Sequence, residues 1–325
     1  MAIKRSRKPG SSKEDKSYVY TYDTGGVVDD EDTLSEIKKM AIPPAYVKVR
    51  VYPGASAKIR YEGYDEKGRL QQKYSEAHND RAKKAKFCRL IEFGRAFPKI
   101  QSDINKYMST TRMTKNKIIS TILQIIWKCG FRVGNVKYQH LYESHGISNI
   151  FKKHVSVDGK RVTIEFKGKK GVVNTCIITE QGLVKELIRL TKDIDPGDYV
   201  FTYKAGNKRV HIRSADINEW LSQYGKISSK DLRTFDVNVM FIDYIRKEGG
   251  IKGAKTVISK KKIAKSAIAI TAAHINNTPA ICKSSYLMPE VYSMLVNHPR
   301  KYKKYFLGST NSRVAFINFL KVHCA

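Results

Sequence analysis

Residues 45–74 read AYVKVRVYPGASAKIRYEGYDEKGRLQQKY, and this stretch decides the architecture of the first part of the chain. A valine stands at every second position across residues 47–51, and Lys48 and Arg50 stand between them. This is the period of a β-strand with one cationic face. Pro-Gly and Lys-Gly pairs supply turns between further strands. The stretch predicts a small β-rich domain, which we assign to residues 18–85.

Shorter elements flank this domain on its amino-terminal side. Residues 1–17, MAIKRSRKPGSSKEDKS, are basic, polar and carry proline, glycine and serine, so we expect a disordered arm. Its KRSRK run is a candidate localisation signal or nonspecific DNA contact, and a solvated tail is an equally simple interpretation. Residues 32–44, DTLSEIKKMAIPP, contain a short amphipathic helical run that ends at two prolines.

Helical periodicity dominates from residue 86 onward. In TKNKIISTILQIIWKCG (114–130) the apolar residues cover a wide helical face, and Gly130 is suited to end the helix. Further helices are predicted near 180–192, 214–224, 229–248 and 256–275 and at the carboxyl end. Period-two stretches between residues 155 and 177, separated by an Asp-Gly turn and by GKKG, predict a three-stranded insertion. The fold class is therefore α+β, with a larger, mostly helical domain over residues 86–325.

Charge is the outstanding feature of the composition. The 325 residues include 61 Lys plus Arg against 30 Asp plus Glu, a net charge of +31, and the pI is near 9.8. Such an excess favours a polyanionic partner, usually nucleic acid, over a membrane surface or a merely soluble basic protein. No apolar run has the roughly 20 residues of a membrane span, and no signal-peptide core is evident. We therefore expect an intracellular protein.

The cysteines give little guidance to function. The chain has five of them, scattered and without CxxC spacing. We therefore expect neither a zinc site nor a disulfide framework. Cys282 has no evident catalytic base nearby and is interpreted as a small buried thiol.

The common catalytic motifs are missing from the sequence. It contains no P-loop, HExxH, GxSxG or dinucleotide-binding fingerprint. Carboxylates are scarce, and the acidic run at residues 29–32 is better explained as a solvated turn than as a cation site. The sequence therefore gives little support to two-metal phosphoryl chemistry.

Cationic and polar residues in structured segments remain as candidates for chemistry. They are, in chain order, Arg132, Lys169, Lys230, Arg233, Asn277 and Tyr286. Singly, such residues have ordinary interpretations: Arg132 as an ion-pair partner, Lys169 as a turn lysine, Arg233 as a helix-face charge and Tyr286 as a core aromatic.

Together these residue types suit one reaction, attack of a tyrosine on a DNA phosphodiester. Arginines offer bidentate donors to the phosphorane oxygens. Nearby cations help a phenol, whose ordinary pKa is about 10, to ionise. A lysine can protonate the leaving alkoxide, and the product is a covalent phosphotyrosine.

The quoted segments place the chain in a known family by resemblance. Residues 42–74 and the motifs RVGNVKY, FKGKKG, SKDLRTFDVN and NNTPAICKSSYLMPEV follow in the order of the poxvirus-like type IB DNA topoisomerases. The resemblance covers nearly everything after residue 33. It implies two lobes that clamp duplex DNA, a monomer, mainly backbone contacts, and relaxation of supercoils without ATP, metal or cofactor. It also implies a location in the cytoplasm or virion of a large DNA virus rather than in a bacterial nucleoid.

The resemblance also implies catalytic roles, position by position. Arg132 and Arg233 match the arginines that hold the scissile phosphate, and Lys169 matches the general acid. Tyr286 matches the nucleophile that forms a 3′-phosphotyrosyl link. Lys230 matches a lysine that supports departure of the leaving group.

A second set of positions matches the family's DNA-binding residues. Gln71 and Tyr74 match groove contacts, and Lys137 and Tyr138 match positions that approach the DNA backbone. Asn238, grouped with them, matches a polar residue that orders the arginine-bearing helix.

Some positions depart from the poxvirus pattern. Asn277 stands where poxvirus members have a histidine, and its amide can donate the same hydrogen bond without a charge. His274 is three residues away and receives no such role. Gln72 replaces an aromatic residue and Lys170 an acidic one, which argues against a poxvirus-like preference for short target sequences.

Two other functions are compatible with parts of the sequence. A tyrosine recombinase uses the same chemistry, but its HxxR signature has histidine at the position of Lys230, and its first domain is helical. A noncatalytic DNA-packaging protein would account for the charge, but not for polar catalytic-type residues in structured segments.

Overall fold

The computed structural model shows a chain of two compact units, Met1–Lys86 and Phe87–Ala325. It describes residues 2–8, 10, 17–54, 56–136, 139, 141, 143–247, 256–308 and 311–324. Each unit has its own cluster of buried apolar side chains. The first unit is built on a sheet and the second mostly on helices, which confirms the predicted α+β fold. The sequence places the boundary between residues 85 and 86.

An antiparallel sheet forms the first unit. Its elements are β1 (Ile3–Arg7), β2 (Tyr18–Tyr22), α1 (Glu31–Lys39), β3 (Val47–Val51), β4 (Ile59–Tyr64) and β5 (Leu70–Tyr74). The five strands lie in the order β2-β1-β3-β4-β5. Ile37 of α1 packs with Ile3, Val49 and Val51 in the apolar cluster of this unit. The predicted β-rich domain is confirmed.

The amino-terminal residues differ from the prediction of a disordered arm over residues 1–17. That prediction is wrong for β1, which pairs with both β2 and β3 and buries Ile3 completely. Arg5 is also buried, because its guanidinium donates to three backbone carbonyls, including that of Pro43 at 3.1 Å. Sequence alone does not distinguish an arginine whose guanidinium is bonded to backbone carbonyls from one that is exposed to solvent. Residues 11–16 lie outside the described residues.

The valine alternation of β3 holds only in part. Val49 and Val51 are buried, but the side chain of Val47 is 57% exposed. Lys48 has φ of 50°, and the pairing with β4 shifts register between Val47 and Arg50. A bulge of this kind turns the residue before it to the other face of the strand.

The second unit is mostly helical. Its helices are α2 (Glu76–Cys88, which begins in the first unit), α3 (Leu90–Ser109), α4 (Lys115–Cys129), α5 (Gln181–Thr191), α6 (Ser214–Ser222), α7 (Ser229–Lys247), α8 (Val257–His274), α9 (Pro279–Ser285), α10 (Pro289–Asn297), α11 (Pro299–Tyr302) and α12 (Ser312–His323). Its strands are β6 (Val155–Asp158), β7 (Arg161–Lys167), β8 (Val173–Ile178), β9 (Thr202–Ala205) and β10 (Lys208–His211). The predicted three-stranded sheet is confirmed, in the order β6-β7-β8. The β9–β10 hairpin was not predicted, because four-residue strands give almost no periodic signal. In the described part of the chain, no helix has the length and apolarity needed to cross a bilayer.

Aromatic packing joins the helices that position the site. Phe235 of α7 lies 5.2 Å from Phe93 of α3 and 5.5 Å from Phe316 of α12, measured between ring centroids. Phe97 of α3 meets Trp127 of α4 at 4.4 Å. The predicted apolar face of α4 lies in the same core. The ends of α4 and α7 are thus held in one rigid framework.

Two disulfides contradict the expectation drawn from the cysteine spacing. Cys88 is joined to Cys324 and Cys129 to Cys176, with Cα atoms 5.5 Å and 5.7 Å apart. Spacing rules detect only cysteines that are close in sequence, whereas these pairs are brought together by the fold. Cys282 is a free, buried thiol, as predicted.

We expect the Cys88–Cys324 crosslink to stabilise the second unit, because it restricts an unfolded chain over a separation of 236 residues. Replacing Cys88 with alanine should lower the free energy of unfolding by about 2–4 kcal/mol. Denaturant unfolding followed by circular dichroism, without reductant, measures the change. In dithiothreitol the two proteins should unfold at nearly the same midpoint, and a difference of equal size there would contradict this role.

Candidate active site

The turn after α4 depends on a glycine. Gly130 ends the helix in the left-handed conformation, with φ of 61°. A Cβ at this position would overlap the carbonyl oxygen of His274 and would lie 2.8 Å from Cα of Ile275. The end of α8 therefore rests directly against the end of α4. Only glycine satisfies both the backbone conformation and this close approach.

The backbone of Arg132 is held by a second close approach. Its carbonyl oxygen accepts a hydrogen bond from the N–H of Ile147, at 2.8 Å. Gly134 has φ of 103°, and a Cβ on Gly146 would overlap Gly134. The two chain segments thus touch at a pair of glycines. This contact fixes the origin of the Arg132 side chain.

Arg233 on α7 is the most enclosed cation of the site, with only 5% of its surface exposed. One of its terminal nitrogens donates to the carbonyl oxygen of Gly130, and Nη2 donates to that of Ile275 at 2.8 Å. Both oxygens belong to helix ends, where carbonyls lack partners within the helix. The buried Nε of Arg233 has no hydrogen-bond acceptor among the described residues.

Asn277 meets Arg132 across the site. The Oδ1 atom of Asn277 accepts a hydrogen bond from Nη2 of Arg132, at 3.0 Å. The preceding residue, Asn276, has φ of 49° and donates through Nδ2 to the carbonyl oxygen of Cys129, at 3.1 Å. The turn after α8 is thus tied to the end of α4 by side chains as well as by backbone packing.

Tyr286 is placed by Asn238, which is fully buried on α7. The Nδ2 atom of Asn238 donates to the carbonyl oxygen of Tyr286 at 2.9 Å, and its Oδ1 accepts from the N–H of Met288 at 2.9 Å. Tyr286 itself ends α9. Asn238 was grouped with the DNA contacts in the sequence analysis, but here its side chain is fully buried and bonds to backbone groups of the protein. It orders the segment that carries Tyr286.

Three side chains act on the hydroxyl of Tyr286. Burial alone would raise the pKa of Tyr286, because it disfavours the charged phenolate. The positive charges of Arg233 and Arg132 outweigh burial, and hydrogen bonding by Arg132 and Asn277 adds to their effect, so the pKa is lowered. The Arg233 guanidinium carbon lies 5.6 Å from the centroid of the tyrosine ring. The site therefore makes ionisation of this hydroxyl easier than that of an ordinary tyrosine.

The two candidate lysines are not part of this cluster. Lys169 is exposed in the turn between β7 and β8, and Lys230 is exposed in the first turn of α7. Within the described ranges, neither ammonium group makes a hydrogen bond or ion pair. The turn itself is well defined, because the N–H of Gly168 donates to the carbonyl oxygen of Val172 at 2.7 Å.

The predicted DNA contacts of the first unit lie on β5. Gln71 donates to Asp65 at 3.1 Å, and the hydroxyl of Tyr74 donates to Gln72 at 2.8 Å. All these side chains are at least partly exposed. Gln71 and Tyr74 are therefore held in a polar network on this strand. Lys137 and Tyr138 lie outside the described residues.

Comparisons with known proteins identify the family of the chain. Residues 74–307 match the family model of the eukaryotic DNA topoisomerase I catalytic core, and residues 17–65 match that of the bacterial DNA topoisomerase IB N-terminal domain. The chain is 32% identical over 291 residues to DNA topoisomerase 1B of Acanthamoeba polyphaga mimivirus, covering 88% of this chain and 86% of that protein. It is 26% identical over 303 residues to DNA topoisomerase I of Monkeypox virus, covering 91% and 90%.

The chain belongs to the poxvirus-like type IB DNA topoisomerases. The resemblance inferred from the sequence motifs is thereby confirmed.

The acidic run of this topoisomerase has a structural role. The side chain of Asp30 accepts a hydrogen bond from the N–H of Thr33 at 2.8 Å, so it caps α1. The next residues, Glu31 and Asp32, lie in the first turn of the same helix, where negative charge is favourable. In the described part of the chain, no group of three His, Cys, Asp or Glu residues could hold a metal ion.

Sequence reasoning missed several residues that build the site of the topoisomerase. Asn276 and the glycine pair Gly134 and Gly146 position the chain, and His274 contacts Asp236 at 3.2 Å. Asn276 directly precedes the candidate Asn277, and Gly134 lies in the RVGNVKY motif. Nothing in the sequence, however, indicated their partners, which are distant along the chain.

The close approach at Gly130 yields a prediction for this topoisomerase. Gly130→Ala should reduce the rate of DNA strand cleavage by about a hundredfold, because the added Cβ must push the end of α8 away from α4. Single-turnover formation of the covalent protein–DNA adduct measures the change.

Gly182→Ala is the matched control, because no heavy atom lies within 4 Å of a Cβ there. It should cleave at the wild-type rate. Normal cleavage by Gly130→Ala would show that this contact does not position the site.

Proposed function

We propose that Tyr286 is the nucleophile of this type IB DNA topoisomerase and that Arg132, Arg233, Asn277 and Lys169 act with it. As a member of this family, the protein relaxes supercoiled duplex DNA by breaking and rejoining one strand. The observation that carries the assignment is the convergence of Arg132, Arg233 and Asn277 on the Tyr286 hydroxyl, whose pKa they lower.

The proposed step is a displacement at phosphorus. The Tyr286 oxygen loses its proton to solvent and forms a bond to the scissile phosphorus, and the bond from phosphorus to the 5′ oxygen breaks. The leaving oxygen takes a proton from Lys169 and becomes a free 5′-hydroxyl, while the 3′ end stays on Tyr286. For religation the 5′-hydroxyl returns its proton to Lys169, attacks the same phosphorus and releases Tyr286.

The two arginines would stabilise the phosphorane during this step. Arg233 is anchored by two backbone carbonyls, and its buried Nε still lacks a hydrogen-bond acceptor within the described residues. That N–H is available for a phosphate oxygen. Arg132 keeps the donors that are not bonded to Asn277, and a guanidinium suits the geometry of two phosphate oxygens.

Asn277 and Lys230 have supporting roles in the proposal. The Nδ2 atom of Asn277 is buried and lacks a protein acceptor of regular geometry among the described residues, so it can donate to a phosphate oxygen. Lys230 lies in the first turn of the helix that carries Arg233. We propose that it supports departure of the leaving group, as the matching residue does in the family.

Both units would bind the same duplex, with mainly backbone contacts. The net charge of +31 favours such binding, and affinity should fall steeply with salt. Gln71 and Tyr74 would contact the groove, and Lys137 and Tyr138 the DNA backbone. We further propose a monomeric clamp that needs neither metal nor ATP. The relatives named above are viral, so we place it in the cytoplasm or virion of a large DNA virus.

The nucleophile is tested by Tyr286→Phe. Removing the hydroxyl should abolish relaxation of a supercoiled plasmid, by at least about a thousandfold, and leave DNA affinity unchanged. The assay is run in EDTA without ATP, in which the wild-type protein should remain active. Tyr292→Phe, which changes a neighbouring tyrosine, is the control and should relax DNA normally.

Each possible result of this test supports or rejects one candidate function of the protein. Relaxation by Tyr286→Phe would overturn the assignment. Loss of relaxation with retained binding would reject a packaging protein. Strand exchange between two duplex sites, rather than swivelling on one plasmid, would indicate a recombinase.

The general acid is tested by replacing the leaving oxygen. Lys169→Ala should slow cleavage about a hundredfold on ordinary DNA, because the alkoxide then leaves without a proton. With sulfur at the 5′ bridging position of a mapped cleavage site, the same variant should cleave at nearly the wild-type rate, since a thiolate needs no proton to leave.

Lys170→Ala is the control for this turn and should behave like the wild type on both substrates. An equal defect of Lys169→Ala on the two substrates would assign Lys169 to DNA binding instead of proton transfer.

A further inference from the structure

A histidine–carboxylate contact joins two of the helices that carry the residues of the site. His274 is the last residue of α8, and Asp236 lies on α7, three residues after Arg233. The Nε2 atom of His274 is 3.2 Å from Oδ2 of Asp236, and the two side chains are 20% and 13% exposed. The pair therefore joins the helix that carries Arg233 to the helix that leads into Asn277.

Each of the three residues that follow His274 contacts the site. The carbonyl oxygen of Ile275 accepts from Arg233, the amide of Asn276 donates to Cys129, and Asn277 accepts from Arg132. The carbonyl of His274 itself packs on Gly130. A shift of His274 would therefore displace all these contacts together.

Asp236 lies among cations. Burial lowers the pKa of both Arg233 and Arg313, and the negative charge of Asp236 counteracts that lowering. The imidazole of His274 adds a third positive charge when it is protonated. Its Nε2 has no hydrogen bond of regular geometry within the described residues, so the attraction between the two side chains is that of a protonated imidazole for a carboxylate. Because the pair is mostly buried, solvent screens it less than a surface pair.

We propose that Asp236 and His274 form a positioning pair for strand cleavage, which holds the turn of Asn277 against Arg233 and Arg132. Asp236 and His274 act through Arg233 and Asn277, which in turn act on the Tyr286 hydroxyl. The inference rests on the proposed roles of Tyr286, Arg233 and Asn277.

The experiment compares single-turnover adduct formation, DNA affinity and melting temperature in a set of variants. Asp236→Ala and His274→Ala should each cleave about tenfold more slowly, with DNA affinity and melting temperature close to the wild type. The double variant should be no slower than either single variant, because both remove one interaction. His274→Lys keeps a cation opposite Asp236 and should recover most of the rate.

A matched control is available in the same unit. His323 and Glu290 form a second histidine–carboxylate pair, 3.6 Å apart, and neither is among the residues proposed for catalysis. His323→Ala should cleave normally. Asp236→Asn keeps the size of the side chain and serves as a second variant if Asp236→Ala unfolds.

Three results would overturn the positioning pair. The single variants would cleave at the wild-type rate, or their losses of cleavage rate would multiply in the double variant. In the third result, the losses of cleavage rate would follow the melting temperatures of the variants, and His274→Lys would not recover the rate. Failure of the proposed function is a separate result, because Tyr286→Phe would then still form adduct. If Tyr286→Phe is inactive and Asp236→Ala is normal, only the positioning pair is rejected.

Discussion

The guanidinium of Arg233 is the contact on which the arrangement around Tyr286 depends. It binds the carbonyl oxygens of Gly130 and Ile275, which are the ends of two different helices. Carbonyls at helix ends carry partial negative charge and need donors. One buried arginine thus satisfies both ends and joins α4, α7 and α8. The turns that carry Arg132 and Asn277 both start from this junction.

The same contact gives the site its electrostatic character. Arg233 is almost completely buried, yet its bonded partners are neutral carbonyls rather than carboxylates. Its positive charge is therefore only partly compensated, and the pKa of Tyr286 is lowered. A phosphodiester would supply negative charge in the same place. An arrangement that is costly in the free protein is thus suited to bind the group on which a topoisomerase acts.

Sequence patterns were sufficient where the determining signal is local. The apolar face of α4, the helix stop at Gly130 and the three-stranded sheet all follow from periodicity and turn residues within short windows. The candidates Arg132, Arg233, Asn277 and Tyr286 came from residue chemistry and motif order, and the fold brings them together.

What could not be predicted depends on partners far apart in the chain. The burial of Ile3 and Arg5 requires neighbouring strands that the sequence does not identify, and a bulge at Lys48 interrupts an otherwise regular pattern. The role of Asn238 toward Tyr286 is of the same kind, because an amide's partner is set by packing. Lys169 was indicated by motif order alone, and it lies exposed in the turn between β7 and β8.

The Cys88–Cys324 bond makes a covalent ring of nearly all of the second unit. A protease that cuts one peptide bond inside this ring yields no separable fragments, since both pieces remain tethered through sulfur. A pulling force applied at the two ends of the chain would bypass the ring's interior and load only the residues outside it. In its oxidised form the catalytic unit would therefore survive nicking and mechanical strain that would take apart an open chain of the same sequence.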